Sequence, residues 1–154
     1  MAVDISLPDA AATLLVGEAL AGGVAPGRVL HLRGELGTGK TTVVRGVLRG
    51  LGFAGRVKSP SYTLVEPYCI SRLNLYHFDF YRFKDRSEWL SSGFREYFSA
   101  DSVCLVEWPE RAGSLLAPPD LDLTLEFAGE ARRATLQSHS PAGAVWLLSF
   151  LSRS

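Results

Sequence analysis

The chain has 154 residues, 47% hydrophobic and 21% charged, which is enough apolar material for one globular domain (1–154) with no need of metal or disulfide staples. Sixteen basic and sixteen acidic residues cancel, so the net charge favours neither nucleic acid nor a membrane surface, though it leaves room for a local basic patch. No apolar run reaches bilayer-spanning length, and Cys69 and Cys104 sit in apolar strand-like runs without metal-ligand spacing, which predicts two buried thiols in a reducing compartment.

The opening segment, MAVDISLPDAAATLLVGEAL, has no Lys or Arg near its start and is interrupted by Asp4, Asp9 and Glu18. It reads as an amphipathic helix rather than a secretory leader, and a cytoplasmic location is expected. Pro8 and Asp9 suit the first turn, Ala11, Leu14, Leu15 and Ala19 the apolar face, and Gly22–Gly23 the end. RVLHLRG (28–34) is a strand running into glycine. A second helix is expected from Lys40 to about Leu51, with Val43, Val44, Val47, Leu48 and Leu51 inward.

Strand-like residues dominate from Val57 to Phe83, where 61–66 and 73–79 are expected to pair as a hairpin around 67–72. Asp85 or Ser87 can cap a following helix. SVCLVEW (102–108) is a continuous apolar run ended by an acid, as expected of a central strand buried on both faces. A short helix from Pro109, a hairpin of LDLTLEF and ARRATLQS, and a helix in PAGAVWLLSFL complete the chain. The order α, β, α, β, β, α, β, α, β, β, α implies an α/β fold whose mixed sheet is parallel near the centre and antiparallel at the edges.

GELGTGKT, Gly34 to Thr41, fits G-x-x-x-x-G-K-[ST] at every fixed position, between a predicted strand and a predicted helix. The spacing has a physical reason. Gly34, Gly37 and Gly39 let the backbone curl, so that the loop formed with Glu35, Leu36 and Thr38 points N–H groups at phosphate oxygens. The helix start adds its positive end, Lys40 can reach the β- and γ-phosphates, Thr41 can ligate Mg²⁺, and Thr42 is placed for the α-phosphate. ATP with Mg²⁺ is the expected ligand in a P-loop NTPase-type three-layer fold. Glu107, ending the central strand, is the expected second metal-site acid. Trp108 beside it is either core or a shield against water.

Other P-loop classes fit poorly. The Asn-Lys-x-Asp and Asp-x-x-Gly segments of GTPases are absent. LSSGF (90–94) has Phe94 where an ABC transporter signature needs glutamine, and the chain is far shorter than such a module. A small-molecule kinase stays open, with Arg82, Lys84 and Arg86 as either an arginine lid or a solvated face. A nucleotide-gated binding module with little hydrolysis also stays open.

Four stretches, GELGTGKTT, SPSYTLVEPY, LYHFDFYR and LVEWPE, in this order, resemble the TsaE (YjeE) family of small P-loop ATPases in bacterial tRNA threonylcarbamoyladenosine synthesis. Departures are mild: Ser61 where Thr is common, Phe80 where Leu is common and Glu35 where Asp is common. The resemblance implies that SPSYTLVEPY is a switch-like segment, with Thr63 nearest the magnesium or terminal phosphate and Ser59 and Ser61 in support. From the residues alone, the same segment is a plain edge strand whose prolines block further pairing.

The resemblance also promotes Asp79 as the carboxylate that positions the attacking water. Accepting a hydrogen bond from Arg82 or capping a turn are the simpler readings of Asp79, and His77 is expected to be structural. Arg132 and Arg133 lie where the family often places basic residues near the nucleotide; exposed hairpin charges are the equal alternative. The implied partners are TsaD and TsaB, with tRNA reached through their complex, no membrane, and a chain that is monomeric alone. The implied role is an ATP cycle that resets that complex, with low turnover in isolation.

Overall fold

The computed structural model describes residues 1–154. Its elements in chain order are β1 (Ala2–Leu7), α1 (Ala10–Ala21), β2 (Val29–Arg33), α2 (Lys40–Gly50), β3 (Val65–Ile70), β4 (Leu73–Asp79), α3 (Arg86–Ser91), β5 (Ser102–Glu107), α4 (Pro109–Ala112), β6 (Leu121–Ala128), β7 (Ala131–Ser138) and α5 (Pro141–Arg153). Short 3-10 turns follow α3 and α4. One seven-stranded sheet runs β1-β7-β6-β2-β5-β4-β3. Its inner strands β6, β2, β5 and β4 are parallel, and β1, β7 and β3 join antiparallel. The expected mixed sheet is therefore present.

All six residues of β5 are buried, because helices cover both of its faces. Val103 and Leu105 join Leu30, Leu32, Leu75 and Leu123 under α1, α2 and α5. Cys104 and Val106 face the other way, into an aromatic cluster with Phe78, Phe80, Trp89 and Phe94 beside α3 and α4. Three layers result. Each buried Leu, Val or Phe contributes roughly 1.5–3 kcal/mol of apolar burial, and Trp146 of α5 adds a buried bond from Nε1 to Leu20 O at 2.9 Å.

Several local expectations change. The N-terminal segment begins with a strand, β1, paired only to β7, and helix α1 follows it with Asp9 as cap, accepting from Ala12 N at 2.9 Å. The buried face of α1 is Thr13, Val16, Gly17, Leu20 and Ala21, while Leu15 is exposed. Glycines cause this rotation. A Cβ on Gly17 would stand 2.2 Å from Val43 O, and one on Gly46 would stand 2.2 Å from Leu14 O. The two helix backbones approach so closely that only this glycine face of α1 can meet α2.

The hairpin strand β3 starts at Val65 rather than Ser61, since residues 60–64 form a turn in which Leu64 N bonds Pro60 O and Leu64 has φ 69°. Ser71 and Arg72, at φ 49° and 70°, make a two-residue reversal. Cys104 is buried as expected, with its thiol pushed up to about 12 by burial. Cys69 is exposed on edge strand β3, a correction to the pair of buried thiols. No helix is long and apolar enough to cross a membrane.

Candidate functional site

Parallel strands β2, β4 and β5 end together at one rim of the sheet, which is where α/β folds hold ligands. In β4 and β5 this register puts Asp79 directly opposite Glu107. Each residue ends its strand on the face covered by α2, the parity that Leu75, His77 and Asp79 share.

Beyond β2 the chain turns through Gly34, Gly37 and Gly39 with φ of 147°, 80° and 110°. These conformations favour glycine, and at Gly34 a Cβ would also lie 2.6 Å from Thr38 Oγ1 and 2.7 Å from Leu125 O. Thr38 is buried and fixes the loop through Oγ1 to Glu35 O at 2.8 Å, while Glu35 and Leu36 project outward. Helix α2 then starts at Lys40. Its first-turn N–H groups have no partner inside the helix and present its positive end to the rim.

Lys40 is only 5% exposed. Its Nζ donates to Gly34 O and, at 3.0 Å, to Glu35 O, and it lies 4.3 Å from the centre of the Trp108 ring. Burial lowers its pKa, while the charges of Glu107, Asp79 and Glu110 oppose that shift. Thr41 Oγ1 donates to Glu107 at 2.9 Å from Oε2 and 3.1 Å from Oε1. From behind, His77 Nε2 meets Glu107 Oε2 at 2.6 Å. Asp79 Oδ1 accepts from Tyr81 N at 2.9 Å, and Oδ2 accepts from Ser59 Oγ.

A cavity of about 500 Å³ collects Gly37, Lys40, Thr41, Thr42, Asp79 and Glu107, with Trp108 on its wall. The residues fit a nucleoside triphosphate: a glycine loop, a helix start, the Lys40 ammonium, the Thr41 and Thr42 hydroxyls and the carboxylates of Asp79 and Glu107. No cluster of three acidic, His or Cys groups forms a protein cage for a metal. A hydroxyl and a carboxylate are the usual protein share for magnesium when phosphates and waters supply the rest.

The other sequence-derived candidates divide. Ser59 and Ser61 line the cavity. Thr63 is exposed, bonds Val65 O at 3.3 Å and faces a neighbouring groove, because the 60–64 turn carries it past the rim. Arg132 reaches the phosphate loop through Nη2 to Gly37 O at 3.4 Å and lies over Phe127. Strand alternation sends Arg133 to the opposite face of β7, where it pairs with Glu126 at 3.2 Å. The role of His77 as a brace for Glu107 was not read from the sequence. Its signal was parity: in YHFD, His77 and Asp79 share a face.

A family model described as threonylcarbamoyl adenosine biosynthesis protein TsaE matches residues 7–135. The tRNA threonylcarbamoyladenosine biosynthesis protein TsaE of Haemophilus influenzae is 44% identical over 115 residues, covering 75% of this chain and 73% of that one. Its Bacillus subtilis counterpart is 44% identical over 108 residues, covering 70% and 67%. A crystal structure of Bacillus subtilis YdiB superimposes with a TM-score of 0.85 at 29% identity, covering 99% of this chain and 95% of that chain.

Proposed function

The chain belongs to the TsaE family, and on that premise we propose that it is an ATP-binding, Mg²⁺-dependent P-loop ATPase of tRNA threonylcarbamoyladenosine biosynthesis. It works with TsaD and TsaB, and its ATP cycle resets their complex between rounds of modification. The observation that carries the ATPase reading is the Thr41 hydroxyl held at 2.9 Å from the buried Glu107 carboxylate, beside a glycine loop and Lys40.

In this reading the loop N–H groups and the α2 start hold the phosphates, and Lys40 turns from the carbonyls of Gly34 and Glu35 to the terminal phosphates. Thr41 and Glu107 would hold a magnesium ion, Glu107 through a carboxylate that His77 keeps oriented. The ion would supply charge neutralisation to the phosphates. Asp79, held by Ser59 and the Tyr81 amide, orients a water for attack. Trp108 closes one wall against solvent.

Arg82 lines the cavity, but its guanidinium is stacked over Tyr62 at 4.6 Å from the ring centre. The isolated chain therefore lacks a committed arginine at the site, and such a group is worth several orders of magnitude in P-loop hydrolysis. Slow turnover alone and faster turnover with partners follow. The test is steady-state ATP hydrolysis by the purified chain, alone and with TsaB, TsaD and tRNA. Strong stimulation supports the proposal; equal turnover in both conditions overturns the partner-completed ATPase.

A further inference from the structure

Beside the nucleotide cavity, and meeting it at Thr41 and Ser59, lies a groove of about 810 Å³ between α2 and the 52–58 loop. Its cations are Arg45, Arg49, Arg56 and Lys58. None takes part in the ion pairs of the chain, which join Arg33 and His139 to Asp122, His77 to Glu107 and Arg133 to Glu126. Arg45 bonds Val57 O at 3.3 Å and so holds the loop that carries Arg56 and Lys58. In a chain of zero net charge, this is a concentrated and uncompensated positive surface.

The groove continues past Arg56 and Lys58 into a second one of about 560 Å³, whose mostly polar lining carries the rings of Phe53, Tyr62 and Tyr68. Phe53 and Tyr68 meet edge to face at 5.1 Å. Tyr62 is 81% exposed and backed by Arg82, which leaves its other ring face open. Glu66 is the one carboxylate on this second wall.

We propose that this basic and aromatic channel binds an unpaired RNA strand directly. Cations along a groove neutralise successive phosphodiesters, and exposed aromatic rings stack on splayed bases whatever their identity. A peptide is the less suitable occupant. The adjoining sheet edge is β3, and Pro67 at its middle has no N–H to offer an added strand. The family's tRNA context makes an unpaired tRNA loop the natural form of the strand, while the surface itself lies outside the phosphate loop. Its test is therefore separate from that of ATP hydrolysis.

The experiment is fluorescence polarisation of 5′-labelled dodecauridine, with unfractionated tRNA as competitor, at about 50 and about 200 mM salt. Binding is expected to fall with salt at a logarithmic slope of roughly −0.7 per neutralised phosphate. The double variant Arg49→Glu, Arg56→Glu should weaken it at least about tenfold and flatten that slope, with fluorescent ATP binding unchanged. Tyr62→Ala should weaken it about fivefold or more at an unchanged slope. Absence of binding at low salt, or equal binding by the charge-reversed variant, overturns the proposal. So does displacement of the RNA by a polyglutamate peptide at comparable concentration, which would assign the groove to an acidic protein segment.

Discussion

His77 Nε2 and Glu107 Oε2 stand 2.6 Å apart, both buried, on adjacent parallel strands. The same carboxylate receives the Thr41 hydroxyl from the cavity side. Glu107 is thus clamped between a ring behind it and a hydroxyl in front. His77→Leu removes the brace and leaves a buried carboxylate short of a partner, at a cost of about 1–3 kcal/mol. We expect the Mg²⁺ needed for half-maximal ATP binding to rise several-fold, with metal-free nucleotide affinity nearly unchanged and partial recovery in His77→Gln. Calorimetric ATP titrations with and without Mg²⁺ measure this. An unaltered Mg²⁺ dependence in His77→Leu would end the positioning role.

Asp79 has two bonds that hold its carboxylate and one edge toward the cavity. Asp79→Ala is expected to retain ATP affinity while hydrolysis falls by about 100-fold or more. Ser59→Ala keeps the carboxylate and loosens one tether, so its loss should be smaller. Normal turnover in Asp79→Ala, measured by phosphate release, contradicts the water-orienting role.

The contact between α1 and α2 gives a stability prediction with two opposing terms. Alanine is a better helix former than glycine by about 1 kcal/mol. At Gly46, however, the new Cβ would sit 2.2 Å from Leu14 O and 2.9 Å from Gly17 Cα, and both are backbone atoms. The clash wins. Gly46→Ala should destabilise the fold by about 1–3 kcal/mol. It should also weaken ATP binding, because α2 carries Lys40 and Thr41 at its other end. Thermal melts and nucleotide titration read the two effects.

His31 is buried with neither ring nitrogen partnered. Burial, reinforced by Arg33 and His139, lowers its pKa from 6.5 to about 4. The unfolded chain takes up a proton on this ring near pH 6.5 and the folded chain only near 4, so between these values the unfolded state binds more protons. Stability from this group is complete above pH 6.5 and is lost as pH falls towards 4, up to about 3 kcal/mol. His31→Leu should show a shallower fall in Tm over that window. Parallel curves for the two proteins would contradict it.

The site was legible where chemistry fixes spacing along the chain. The Gly34–Thr41 loop and Glu107 at the end of an apolar run both announce themselves locally. What was hidden depended on partners distant in sequence. β1 alternates cleanly as VDISL, but it is short, the apolar run that follows it reads as helix, and its only pairing partner is β7. The inward face of α1 was set by glycines that allow close approach, which a count of apolar side chains reads as blank. The β3–β4 reversal uses Ser71 and Arg72 at positive φ, where a glycine or asparagine would have marked the turn. His77 looked structural because its bond crosses to another strand. Thr63 entered through the family resemblance, and motif order alone does not reveal that the 60–64 turn sets its side chain on the neighbouring groove.

The pairing of β1 with β7 also bears on how the chain is made. Residues 2–7 are made well ahead of their sheet partners, residues 132–137. Until those emerge, β1 is a bare strand tethered to a helix, and β6 lacks its antiparallel neighbour. Synthesis at about 5–20 residues per second makes that wait several seconds long. The β1 edge stays open for that whole time, and β6, made directly ahead of β7, adds a second open edge only at its end, which is when holding the early segment apart from other growing chains matters most.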